Sequence, residues 1–115
     1  MSGAQAEPTY KLSLSIPREP SAYVATDHFR FRYSRRDNPT ITDDVVETCI
    51  REGRIKNTQS PDRFIFEATI EGYRWWVIVE LVEDAFLDDA EKHRVITAYV
   101  PDHPGHDTSE EAWSI

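Results

Sequence analysis

The stretch from Arg63 to Val82 limits what this chain can fold into more than any other. Two apolar, aromatic-rich runs, RFIFEATI and YRWWVIVELV, flank the pair Glu71-Gly72, which is the pattern of a β-hairpin closed by a short turn. In the first run Phe64, Phe66, Ala68 and Ile70 alternate with Arg63, Ile65, Glu67 and Thr69, giving one firmly apolar face. The second run is apolar on both sides. Tyr73, Trp75, Val77, Val79 and Leu81 point one way; Trp76, Ile78 and Val82 point the other, with Arg74 and Glu80 among them. A strand apolar on both faces is covered on both faces, so this one belongs in the middle of a sheet.

The remaining segments are read as elements that pair beside this hairpin or pack on it. Residues 1–8 are expected to be disordered. Thr9–Ile16 alternates, with Tyr10, Leu12, Leu14 and Ile16 on one side, and predicts a half-exposed strand closed by Pro17 and Pro20. PREPS reads as a linker. Between Tyr23 and Arg36 two readings compete: HFRFRY has the period of a strand, whereas a helix begun near Thr26 or Asp27 would place an acid at its start and arginines at its end. After the turn Asp37-Asn38-Pro39, Thr42 caps a helix opened by Asp43 and Asp44; Val45, Val46, Cys49 and Ile50 form its buried stripe and Gly53 its C′ stop. Ile55–Thr58 reads as a short strand, residues 83–93 as an acidic connection of weak helical character, and Arg94–Val100 as the closing strand. The domain is therefore expected to span residues 9–101, with a mobile acidic tail over 102–115.

The chain has 21 acidic and 13 basic residues, a net charge of −8, and ten arginines against three lysines. Acid excess with few lysines suits a halophilic protein kept soluble in high salt, or an ordinary acidic protein kept soluble by self-repulsion. At low salt it opposes a nucleic-acid partner, but in molar salt, where the Debye length is about 3 Å, that opposition is screened. Nothing approaches the roughly 20-residue apolar run of a membrane span, and the N-terminus has no signal-peptide pattern, so a cytoplasmic protein is expected. One cysteine excludes an internal disulfide.

Candidate chemistry is sparse. His28, Arg30, Arg32, Arg35 and Arg36 form a basic cluster able to hold phosphates, or equally to pair with Asp43, Asp44 and Glu47. His28 can serve as an acid or base, or as a packed structural histidine. His93, His103 and His106 match no ligand spacing, so no metal or cofactor is expected. Cys49 falls on a helix's apolar stripe and reads as inert.

The order of short motifs adds one lead. Thr26-Asp27-His28 is followed by a run of Arg, then by Ile41-Thr42-Asp43-Asp44-Val45-Val46. Ile50-Arg51-Glu52-Gly53 comes next, then the hairpin, and Ile96-Thr97-Ala98-Tyr99 closes the series. Over residues 24–101 this resembles small families of unknown function that are similar in fold to RelE-type toxins. The resemblance implies an α+β fold, with one or two N-terminal helices packed on one face of a mainly antiparallel, twisted sheet of about four to five strands, and residues 26–36 as a helix. It also implies a metal-independent endoribonuclease, in which a ribose 2′-hydroxyl attacks the adjacent phosphate. On this chain its catalytic candidates are His28, Arg74, Arg94 and Tyr99, with Arg30, Arg32, Arg35, Arg36 and Lys56 as RNA contacts. An antitoxin-like protein partner would accompany such an enzyme. The competing expectation, from acidity and the lack of a convergent polar constellation, is a non-catalytic protein-interaction or homodimerisation module.

Overall fold

The computed structural model of the chain describes residues 7–27, 29, 40–88 and 90–103. They form an α+β fold on a five-stranded mixed sheet: β1 (Tyr23–Ala25), β2 (Arg54–Asn57), β3 (Arg63–Ile70), β4 (Tyr73–Glu80) and β5 (His93–Tyr99). Their spatial order is β1-β5-β4-β3-β2. β1 runs parallel to β5, and the other pairings are antiparallel. Helix α1 (Asp43–Glu52), the short helix α2 (Glu83–Leu87) and a single 3-10 turn (Pro20–Ala22) are described beside the sheet. Neither helix is long and apolar enough to cross a membrane.

The hairpin is the centre of the sheet, as its two apolar faces require. β4 lies third of five. Glu71 and Gly72 both take positive φ (52° and 86°), the primed turn whose twist matches that of the flanking strands. A two-residue turn fixes every cross-strand pair, from Ile70 opposite Tyr73 to Arg63 opposite Glu80. One sheet face carries Ile55, Phe64, Phe66, Trp75, Val77, Val79, Val95 and Ala98, and α1 lays Val45, Cys49 and Ile50 into the same core. α1 begins as its sequence demands. The Thr42 hydroxyl accepts the Val45 N–H at 3.2 Å, and Asp43 and Asp44 sit at the positive end of the helix dipole.

Several elements depart from their sequence patterns. Thr9–Ile16 is not a strand: the chain reverses at Ser13 (φ 63°), with Tyr10 N–H bonded to Leu14 O and Ser13 N–H to Tyr10 O. A single bridge joins Thr9 to Ser15. Local bonds close this turn at little entropic cost, and it still buries the two ends of the apolar alternation, Tyr10 and Ile16. The fifth strand comes instead from Tyr23–Ala25. The PREPS segment is anchored rather than a free linker, since the Arg18 guanidinium donates to Gly53 O (2.8 Å) and Arg51 O (3.3 Å) at the C-terminus of α1 and pairs with Glu7. Gly53 ends α1 in extended backbone (φ −69°, ψ 155°), not in a left-handed cap. Glycine is needed there for space, because a Cβ would lie 2.4 Å from Cys49 O.

Of the segment with two readings, Asp27 and Phe29 are helical, and the Thr26 hydroxyl accepts the Phe29 N–H at 3.1 Å as an N-cap. The rest of the expected helix, residues 1–6 and residues 104–115, including His106, lie outside the described residues.

Candidate functional site

The face of the sheet opposite α1 carries four of the sequence-derived site residues: Lys56 on β2, Arg74 on β4, and Arg94 and Tyr99 on β5. A bulge puts Tyr99 there. Strict alternation in RVITAYV would set Val95, Thr97 and Tyr99 on one face. The register shifts between Ile78 and Val79, so Val95 faces Val79 in the core while Thr97 faces Ile78 and Tyr99 faces Trp76. Ile65, Ile78 and Tyr99 then form a second, smaller buried cluster, with Trp76 and Ile96 packed against it. Tyr99 is only 3% exposed. Among the described residues this second apolar face of β4, expected to be covered, is packed by strand side chains alone.

Four of the cations on this face, Lys56, Arg74, Arg63 and Arg94, fall into two separate groups, each organised by a carboxylate, while Arg54 is exposed opposite Glu67. Glu67 centres the first. It accepts the Trp76 indole N–H at 2.7 Å and pairs with Lys56 (3.5 Å) and Arg74 (3.6 Å), while Arg74 reaches Asp102 at 2.6 Å with its other nitrogen. Lys56 and Arg74 lie 5.1 and 5.9 Å from the centroid of the Trp76 ring. Burial alone would raise the Glu67 carboxyl, but the indole N–H together with Lys56 and Arg74 outweighs it and holds the group below the usual carboxylate range. Glu80 centres the second group, bonded to Arg63 (3.1 Å) and Arg94 (3.0 Å).

The two groups stand at opposite ends of β4. Arg94 is in register with Glu80, six residues along the strand from Arg74, so their backbones are roughly 20 Å apart at about 3.3 Å per residue. Each guanidinium is turned onto its own carboxylates, Arg74 onto Glu67 and Asp102 and Arg94 onto Glu80, so the two are not gathered at one point. His28, Arg30, Arg32, Arg35 and Arg36 lie outside the described residues.

Two further titratable groups, His93 and Cys49, are packed inside the fold. His93 is buried; its Nδ1 accepts the Val82 N–H at 2.9 Å, and its ring lies against Phe86 (4.6 Å) and Tyr23 (5.5 Å). Burial pushes its pKa below the ordinary histidine value. Cys49 is fully buried and its thiol is pushed up to about 12. Among the described residues no three His, Cys, Asp or Glu side chains gather as a metal site.

Glu67 and Glu80 stand in no sequence motif, and their organising roles come from register. The signal was present: once Glu71-Gly72 is a two-residue turn, Glu67 must face Trp76 and Arg63 must face Glu80. No protein-family model, curated protein or solved structure matches the chain.

Proposed function

We propose that this protein is a non-catalytic α+β interaction module, built on the RelE-like plan that its motif order resembles and adapted to high salt. One observation carries the non-catalytic reading. Arg74 and Arg94 stand at opposite ends of β4, each held by carboxylates, and the Tyr99 phenol is buried. Transphosphorylation needs an acid, a base and charge stabilisation converging on one phosphate, and these residues do not converge.

The contact surface is the flank where the Tyr10 turn meets α2. Tyr10 stacks on Phe86 at 5.5 Å and Lys11 pairs with Glu83 at 2.8 Å, so the turn is fixed against the helix. That leaves Leu12, Leu14 and Leu87 exposed by 47, 37 and 80%. Exposed apolar side chains gathered into one patch mark an interaction surface, and we place such a patch on these three leucines. The partner to test first is a second copy. Sedimentation equilibrium is expected to show a reversible dimer for the native chain and a monomer for Leu12→Ser/Leu87→Ser. A native chain that stays monomeric up to millimolar concentration removes self-association, and a variant that dimerises equally removes this flank.

RNA binding without cleavage is a second reading, favoured by the half-buried Trp76 ring with Lys56 and Arg74 close to it, an aromatic platform beside cations of the kind that takes a base and a phosphate. Binding that Trp76→Ala abolishes in molar KCl would favour it.

A further inference from the structure

A cleft of about 480 Å³ opens between α1 and the hairpin tip, on the helix side of the sheet and away from the Trp76 face. That volume is within the range of small-molecule sites, roughly 300–1,000 Å³. Val45, Ile70, Tyr73 and Trp75 supply apolar and aromatic lining. Asp44 lies on the helix wall and Glu71 on the hairpin wall, both exposed. Neither has an ion-pair partner among the described residues, whereas Glu67 and Glu80 on the opposite face each hold two cations. Glu71 has a second peculiarity: it occupies a left-handed turn position (φ 52°) where Gly, Asn or Asp costs less. The chain thus keeps a longer carboxylate at the cleft at some conformational cost.

Two unpaired carboxylates on facing walls repel an anionic ligand and attract a cation. An apolar lining favours an aliphatic stem, and the Tyr73 ring favours a cationic head. We propose that this cleft binds an organic cation carried on an apolar stem, a guanidinium or alkylammonium group, with Asp44 and Glu71 as its counter-charges. The group can belong to a free small molecule or to an arginine or lysine side chain of another protein. The site is separate from the Leu12–Leu14–Leu87 flank, so loss of that flank's role leaves it standing.

The test is an NMR titration of the full chain with Nα-acetyl-L-argininamide, with its neutral isostere Nα-acetyl-L-citrullinamide, and with a doubly capped Ala-Arg-Ala peptide. Argininamide and the peptide are expected to produce saturable shifts of the Asp44, Val45 and Tyr73 amides, and citrullinamide none. Glu71→Gln, on an exposed turn, is expected to weaken binding at least fivefold, and Asp44→Asn to do the same. If Asp44→Asn unfolds α1, Glu71→Gln carries the test alone. Tighter binding of the peptide assigns the group to a partner's side chain; tighter binding of argininamide assigns it to a small molecule. Absence of saturable shifts, equal binding of citrullinamide, or unchanged affinity in Glu71→Gln overturns the proposal.

Discussion

Replacing Glu67 with glutamine tests the view that a carboxylate, not a cation, organises the sheet face opposite α1. The amide oxygen still accepts the Trp76 indole N–H but loses the charge that strengthens that bond, a difference of about 1 kcal/mol. The ion pairs with Lys56 and Arg74, whose side chains are 37 and 44% exposed, add roughly 0.3–0.5 kcal/mol each after solvent screening. The sum is about 1.5–2 kcal/mol, or a drop in Tm of roughly 6–12 °C at about 4–6 °C per kcal/mol for a domain of this size. The pH dependence has a definite sign. The native carboxyl has a pKa below its ordinary 4.5, so as pH falls the unfolded chain takes up the proton first. The contribution is complete above that ordinary value and is lost as pH falls through the depressed native value. Thermal melts followed by circular dichroism from pH 7 to pH 2.5 should therefore show a gap at pH 7 that closes in acid. Molar KCl should reduce it towards the hydrogen-bond part alone. A gap that is absent at pH 7, or that persists unchanged into strong acid, refutes the reasoning.

Other positions make independent predictions. Gly53→Ala drives a Cβ to 2.4 Å from the Cys49 carbonyl and should cost about 1–3 kcal/mol, read from urea midpoints. Glu71→Asn relieves the left-handed turn and should add roughly 0.5–1 kcal/mol while weakening cation binding in the cleft. The lowered pKa of His93 means that its contribution is complete above about pH 6.5 and is lost as pH falls through its native value, so stability should decline across that window; His93→Phe should remove the slope and cost about 1–3 kcal/mol by orphaning the Val82 N–H. Cys49, fully buried with its thiol pushed up to about 12, should resist Ellman's reagent at pH 8 until the chain unfolds.

The fold was most legible where pattern and local chemistry agreed. The two-sided apolar run at Tyr73–Glu80 could only be central, and Thr42-Asp43-Asp44 could only open a helix. Alternation misled where it had no partner strand to act on. Thr9–Ile16 has the period of a strand, yet local turn bonds satisfy its backbone, and the three residues of β1 take the place beside β5. The bulge in β5 is invisible to a period-two pattern, so the face that Tyr99 occupies could not be read from RVITAYV. Site reading failed in a related way. Lys56, Arg74, Arg94 and Tyr99 do share one face, but distance along β4, and the carboxylates that reach each cation, are properties of sheet register rather than of residue type.

On the proposed non-catalytic reading, this face does not cleave RNA. The most direct measurement is incubation of the folded chain with single-stranded RNA in molar KCl, with analysis of the product ends, beside an Arg74→Ala/Arg94→Ala variant shown folded by circular dichroism. The account predicts intact RNA with both proteins. Fragments ending in 2′,3′-cyclic phosphate, produced by the native chain and lost in the variant, would contradict it.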